Sequence, residues 1–336
     1  MKRILLVIIT TFMCTTLVST GAVKCASSNI RELKEKDNYT FLICGVDDAA
    51  ENTDAIIVFN YNVKSNVVSF LQIPRDTYFN FNDRIKKINS IYPSLRAKGA
   101  TQKEAMSVLS QSISDSLGLY FDGYMCFTVT ALENLIDAIG GIDLCLPNDI
   151  DIKDSDGNNR VVFQAGNHHI GGREAIRFIR YREGYALGDL GRVDAQKLFL
   201  SAFVSKLKGS LNFKLVARSA FKSDSGIVTD MKMLDILGIA MKLRGRIEES
   251  DVKYANLPGV AAQSENGGWF YFVNKNASKT LLWEMRFNSS DIFDKNEKFL
   301  NAKSEETMNY YFNNQTKWRI VDEADLLSSS IVKESA

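Results

Sequence analysis

The sequence predicts an α/β protein: a three-layer αβα domain in which a central mixed sheet carries helices on both faces. Three observations predict it. Short β-prone runs and segments of helical period alternate along residues 40–288. No linker divides that stretch, and it holds no internal repeat. With 45% hydrophobic and 24% charged residues, a chain of 336 residues can bury a sizeable core.

Taken in order, Lys2 and Arg3 precede an apolar run from Ile4 to about Val23, the pattern of a targeting segment. Small residues at 20–22 and 23–25 offer cleavage sites, while the run approaches the ~20 residues that span a bilayer. Residues 1–25 are therefore a signal peptide or an N-terminal membrane anchor, and the remainder is expected outside the cytoplasmic membrane. Residues 26–39 form a polar spacer. Runs 41–46, 55–61 and 67–73 read as adjacent strands separated by turn residues. Thr101 and Glu104 make a capping box that opens a helix to about Leu117. A strand at 124–129 precedes a helix at 131–139 that stops at Gly140–Gly141, and 142–146 is again a strand. Residues 150–152 and 161–163 flank a hairpin turn. Residues 189–207 form an amphipathic helix with Val193, Leu200, Phe203, Val204 and Leu207 on its apolar face. Thr229 caps another helix, which carries Met233, Leu234, Leu237 and Met241, and 277–286 is the last. Residues 289–336 turn polar and lose periodicity, an appendage of unknown role.

Charge is nearly balanced, 41 basic against 40 acidic residues, so bulk electrostatics gives no reason to expect a nucleic-acid partner. Anion recognition has to come from a local cluster, and residues 180–196 supply one. Arg180 and Arg182 alternate within 178–182 as on a strand and would leave one face together. Asp189, Arg192 and Gln196 fall at i, i+3 and i+7, one stripe of one helix. Three guanidinium forks converging on one place suit phosphate or pyrophosphate, with Asp189 holding them apart or capping the helix. Upstream, Asp47 follows one predicted strand and Asp54 precedes the next. If those strands are neighbours, their loop gathers two carboxylates, a set that suits Mg²⁺ beside a phosphate. Taken alone, Asp47, Asp48, Glu51 and Asp54 read as a solvated acidic loop. Arg75 leaves a third strand after Ile73–Pro74, presenting a further cation with Asp76 at the sheet edge.

These pieces resemble the LytR–CpsA–Psr family of exported cell-wall phosphotransferases over roughly residues 40–288. The resemblance is carried by Gly45–Val46–Asp47, Thr53–Asp54, Ile73–Pro74–Arg75–Asp76–Thr77 and Lys87–Ile88–Asn89–Ser90–Ile91–Tyr92. It continues through Gly140–Gly141–Ile142–Asp143 and Gly172–Arg173–Glu174–Ala175 to Arg180–Tyr181–Arg182, Asp189, Arg192 and Gln196. It implies a Mg²⁺-assisted transferase that moves the phosphoglycosyl end of a teichoic acid, capsule or related wall polymer from a polyprenyl diphosphate carrier to a peptidoglycan sugar hydroxyl, at the membrane. By resemblance, Asp47 and Asp54 hold the metal, and Arg75, Arg180, Arg182 and Arg192 contact the diphosphate. Asp189 and Gln196 organise those arginines, Lys87 and Asn89 join the substrate-binding set, and an internal apolar pocket takes the lipid chain.

One position departs from the pattern: the family's usual arginine two residues before the Asp54 position is Asn52 here. Lys64, Arg84 and Lys86 are the candidates to replace it in space. Polyprenyl phosphate would leave as the sugar hydroxyl attacks in line, with Asp76 or Asp189 as candidate general base. A polyprenyl-diphosphate hydrolase is the second reading, and a non-catalytic lipid-diphosphate-binding wall protein the third, because of Asn52. A transcriptional role conflicts with the export segment.

Other features carry blander readings. Asp149, Asp156 and Gly157 lack the calcium-loop ligands, since Ile152 and Phe163 stand at the first and twelfth positions. His168 and His169 are adjacent and point differently, which argues against zinc or a catalytic triad. Cys44, Cys126 and Cys145 sit singly in apolar runs and read as buried free thiols. Residues 269–272, Trp-Phe-Tyr-Phe, form a strand leaving a tight turn, with a carbohydrate-stacking platform as the alternative.

Overall fold

The computed structural model describes residues 36–48, 52–82, 84–146, 149–153, 160–181, 189–207, 226–243, 251–263, 269–288 and 320–321. The targeting segment, the spacer up to residue 35 and most of the 289–336 tail lie outside the described residues. β1 (Asn38–Val46) runs antiparallel to β2 (Thr53–Asn62), and β2 to β3 (Val67–Gln72). A side hairpin of β4 (Tyr78–Phe81) and β5 (Arg84–Lys87) leads through a 3-10 turn (Ile88–Ser90) into α1 (Ile91–Arg96) and α2 (Gln102–Leu117). β6 (Gly123–Thr128) returns parallel to β1 and is followed by α3 (Val129–Ala138) and β7 (Ile142–Leu146). β8 (Ile150–Lys153) and β9 (Arg160–Phe163) form the expected hairpin, and β10 (Gly166–Ile170) pairs back onto β7. Then come α4 (Gly172–Arg180), α5 (Asp189–Leu207), β11 (Ile227–Thr229), α6 (Met233–Leu243) and β12 (Val252–Asn256). The hairpin β13 (Gly259–Gln263) and β14 (Trp269–Val273) precedes α7 (Lys275–Glu284), and β15 (Ile320–Val321) pairs with β12.

The central sheet has the order β11-β6-β1-β2-β3-β12-β15. β1/β6 and β3/β12 are parallel and the other pairs antiparallel, so the sheet is mixed. Period-2 alternation divides its apolar residues between two cores. Tyr39, Phe41, Ile57, Tyr61, Val68 and Phe70 meet α3, α4, α5 and α6 on one side. Leu42, Cys44, Val46, Ile56, Val58 and Leu71 meet α1, α2 and α7 on the other. Three layers follow directly. On the α3–α6 side four cross-strand partners make an aromatic row: Phe41–Phe59 at 6.0 Å between ring centroids, Phe59–Phe70 at 5.4 Å and Phe70–Tyr254 at 5.2 Å.

Local signals hold at several element ends. The Thr101 hydroxyl accepts from the Glu104 N–H (3.3 Å) while the Glu104 carboxylate accepts from the Thr101 N–H (2.8 Å), and Gly118 ends α2 at φ 62°. Gly140 and Gly141, at φ 79° and 76°, turn the chain from α3 into β7.

Elsewhere tertiary context overrules the local pattern. Over residues 178–180 the expected strand is instead the end of α4, with Tyr181 extended after it and residue 182 outside the described residues. Ala175 and Phe178 are buried at helical spacing, and the Asp137 carboxylate accepts from the Gly172 N–H (2.6 Å) at the helix start, so period 3.6 wins over period 2. Thr229 ends β11 rather than capping a helix: its hydroxyl donates to the Tyr124 carbonyl (2.6 Å) and accepts from the Met231 N–H (3.1 Å). α6 starts later, and the side chains of Met233, Leu234, Leu237 and Met241 lie outside the description. The deep residues of α5 are Ala195, Leu198, Phe199 and Ala202, while Leu200, Phe203 and Val204 pack only partly. Lys197 and Ser201 are buried too, on a helix that packs against both α4 and β7 where the sequence predicts one face in water. The side chains of Val193 and Leu207 are not described. Cys44 and Cys126 are buried register partners, and burial pushes the Cys44 thiol well up. Cys145, expected inside, sits at an outward position of β7 and is exposed.

α3 and α4 approach closely at Gly172, where a Cβ would lie 2.1 Å from the Glu133 carbonyl oxygen. Gly172→Ala should therefore destabilise the fold by about 3 kcal/mol. Urea denaturation would check this, and an unchanged midpoint would show that the two helices separate freely.

Candidate functional site

β1 and β2 meet at one end of the sheet, where Val46 pairs with Thr53 after a register shift and the Asp47 N–H donates to the Asn52 carbonyl (3.1 Å). Neighbouring antiparallel strands thus bring both carboxylates to one edge, as the sequence suggested. Asp54 lies just inside β2 rather than before it. Arg180, at the last turn of α4, reaches Asp47 with Nη2–Oδ2 of 3.4 Å.

β3 ends beside the start of β2, since Ile57 pairs with Gln72 and the Ile73 N–H donates to the Ile56 carbonyl (2.8 Å). Pro74 then turns the chain, and the Arg75 guanidinium meets Asp54 at 2.9 Å and Asp76 at 3.8 Å. Lys87 pairs with Asp76 at 2.8 Å, a contact that sequence reasoning missed because it joins residues of two different strand ends. Asn89 ties this corner together through its backbone: its N–H donates to the Arg75 carbonyl (3.2 Å) and its carbonyl accepts from the Thr53 hydroxyl (3.1 Å).

Gln196 joins α5 to both walls. Its Oε1 accepts from the Gln72 amide at 2.7 Å, and its Nε2 donates to the Ile179 carbonyl at 3.4 Å, one residue before Arg180. Gln72 was not singled out from sequence, since an isolated glutamine at a strand end carries no signal. The structure therefore gathers Asp47, Asp54, Arg75, Lys87, Asn89, Arg180 and Gln196. Asp189 and Arg192 stand in the first turns of α5, with side chains not described, and Arg182 lies outside the described residues.

The three candidate substitutes for an arginine at position 52 divide. Lys64 sits at the far end of β2 and pairs with Asp37 (2.7 Å), so it is excluded. Lys86 donates to the Ser94 hydroxyl (3.0 Å), away from the carboxylates. Arg84 is exposed on β5.

Polarity is graded along the sheet face that carries the aromatic row. Gln72 follows Phe70 two residues on in β3, and Asn256 follows Tyr254 in β12, so paired amides separate the rings from the charged edge. Among the described residues no cluster of three or more His, Cys, Asp or Glu is arranged for a metal. Two carboxylates are nonetheless the hard-oxygen set that Mg²⁺ uses when waters and phosphate oxygens complete its shell, so Asp47 and Asp54 fit that ion. His169 pairs with Asp143 (2.6 Å), which holds that carboxyl below its usual range, while His168 faces the Gln164 carbonyl; neither joins the site. No helix among the described residues is long and apolar enough to cross a membrane.

The LytR_cpsA_psr family model matches residues 13–286. The polyisoprenyl-teichoic acid–peptidoglycan teichoic acid transferase TagV of Bacillus subtilis (strain 168) is 27% identical over 226 residues, 63% of this chain and 55% of its own length. The similarly named TagU of Oceanobacillus iheyensis is 28% identical over 256 residues, 72% of this chain and 73% of its own. The crystal structure of Bacillus subtilis TagV superposes with a TM-score of 0.60 at 21% identity, covering 77% of this chain and 98% of that one, which shows a shared fold. This chain spans little more than half the length of the first of these relatives.

Proposed function

The chain belongs to the LytR–CpsA–Psr family, and from that premise we propose that it transfers a phosphoglycosyl polymer from a polyprenyl diphosphate carrier to a peptidoglycan sugar hydroxyl, assisted by Mg²⁺, on the outer side of the cytoplasmic membrane. The two similar transferases named above are the reason for choosing a teichoic acid or related wall glycan as cargo. The observation that carries the reading is the meeting of Arg75–Asp54 and Arg180–Asp47 at one sheet edge, above a face that grades from aromatic to amide.

In this reading Arg75 and Arg180 exchange their carboxylate partners for diphosphate oxygens, and Asp47 and Asp54 are the residues that would hold Mg²⁺. Bound there, the ion would neutralise charge on the diphosphate. The acceptor hydroxyl attacks the phosphorus that bears the glycan. The P–O bond to polyprenyl phosphate breaks, a glycan phosphodiester forms, and Asp76 takes the hydroxyl proton. Gln196 keeps Arg180 and β3 in register, and the polyprenyl chain would be received on the apolar side of the sheet below.

The test is incubation of the full chain with a synthetic polyprenyl-diphosphate sugar, a peptidoglycan oligomer and Mg²⁺. Transfer predicts polyprenyl phosphate together with a glycan–peptidoglycan adduct. Release without adduct would indicate a hydrolase, and ligand-induced thermal stabilisation without release would indicate a binder. Asn52 should be upgradeable in the same assay: Asn52→Arg is expected to preserve the rate or raise it up to about tenfold by adding a cation near the transferring phosphoryl group. A large loss would mean that this edge is organised around asparagine.

A further inference from the structure

Tyr78, Phe270 and Phe272 make an aromatic cluster separate from both cores, with centroid distances of 5.8 Å for Tyr78–Phe270 and 5.4 Å for Tyr78–Phe272. Tyr78 and Phe272 are buried, whereas Phe270 remains partly exposed. The Lys87 ammonium lies 5.9 Å from the centre of the Phe270 ring while it pairs with Asp76 at 2.8 Å. The hairpin that carries Phe270 is fastened to the Arg75–Asp76 turn. The Tyr271 N–H donates to the Asp76 carbonyl (2.9 Å), Thr77 bridges Tyr271, and the Tyr271 hydroxyl donates to the Leu257 carbonyl (2.7 Å). Burial raises the Tyr271 phenol well above its ordinary range, so it stays a neutral donor.

Neither diphosphate nor polyprenyl chain uses this arrangement. A diphosphate needs cations and no ring, and a lipid needs a continuous apolar wall without an ion pair. A pyranose has a use for all three parts: a flat apolar surface for its C–H face, a carboxylate to accept from hydroxyls and an ammonium to donate to them. We propose that Phe270, with Lys87 and Asp76 beside it, seats the sugar ring of the acceptor. This rests on the transferase reading, and it explains how the attacking hydroxyl comes to lie next to Asp76 on the turn that also carries Arg75.

Isothermal titration calorimetry of the full chain in detergent tests it with two probes, a soluble peptidoglycan oligosaccharide and a synthetic polyprenyl-diphosphate monosaccharide. Phe270→Leu keeps apolar bulk against Tyr78 but removes the flat ring. It should weaken oligosaccharide binding about tenfold and leave the lipid probe unchanged, while Phe270→Tyr should retain both. The proposal is overturned if Phe270→Leu binds the oligosaccharide as the unsubstituted chain does, if that chain does not bind it, or if both variants lose it together with their thermal midpoint. Failure of the lipid probe alone, with the oligosaccharide still discriminated, would count against the transfer reading and not against the sugar seat.

Discussion

Arg75→Ala is expected to lower transfer by about a thousandfold while leaving the fold in place. Arg75 is the described cation most enclosed by the site, 26% exposed against 58% for Arg180, and it lies against two carboxylates. Removing it takes from Asp54 its guanidinium partner and leaves Asp76 with Lys87 alone, so the loss combines a missing contact with added repulsion of the incoming diphosphate. A planar fork spans two phosphate oxygens where an ammonium meets one, so Arg75→Lys should recover only part of the rate. Initial rates of polyprenyl phosphate release would check both variants, with circular dichroism melts to verify folding. A rate for Arg75→Ala within threefold of the unsubstituted chain would remove Arg75 from the machinery.

Asp54→Asn should act differently. It keeps the shape of the side chain and its hydrogen-bond acceptor but removes the charge that Mg²⁺ would use. We expect turnover to fall about a hundredfold, and the Mg²⁺ concentration for half-maximal rate to rise by about tenfold or more. The second quantity separates metal holding from simple support of Arg75, because a variant that merely loosened Arg75 would keep its Mg²⁺ midpoint. Asp47→Asn should show the same shift, being the second proposed ligand. An unaltered Mg²⁺ response in both variants would show that the ion, if used, is held elsewhere.

Much of the fold was legible because short-range signals and long-range packing agree over α2, α3, β7 and the β8–β9 hairpin. Thr101 with Glu104, and the paired glycines 140 and 141, each specify a local backbone conformation that tertiary contacts then leave alone. Residues 178–182 misled because Phe178 and Arg180 alternate over too short a window to separate a strand from the last turn of a helix. The Asp137 carboxylate at the start of α4, 35 residues from Gly172 in sequence, is invisible to any local pattern. α5 misled for a related reason: a buried lysine and serine break the amphipathic stripe on a helix that packs against both α4 and β7. At the site, Asp47, Asp54, Arg75 and Arg180 were singled out by residue type and position, and the structure brings them to one sheet edge. The Gln72–Gln196 contact depends on where α5 crosses the end of β3, and the Asp76–Lys87 contact on where β5 ends beside the turn after β3; no motif encodes either.

The pairing of the site's charges also bears on discrimination. Among the described side chains Asp47, Asp54 and Asp76 are matched by Arg180, Arg75 and Lys87, so these six together carry no net charge. Free phosphate or a stray nucleotide gains little by displacing a carboxylate that is already in place. A ligand that arrives with a divalent counter-ion and a hydrophobic tail gives each aspartate a new partner as it takes the arginines. On the proposed reading, that pairing would select against common soluble anions, at the cost of requiring two things to bind at once.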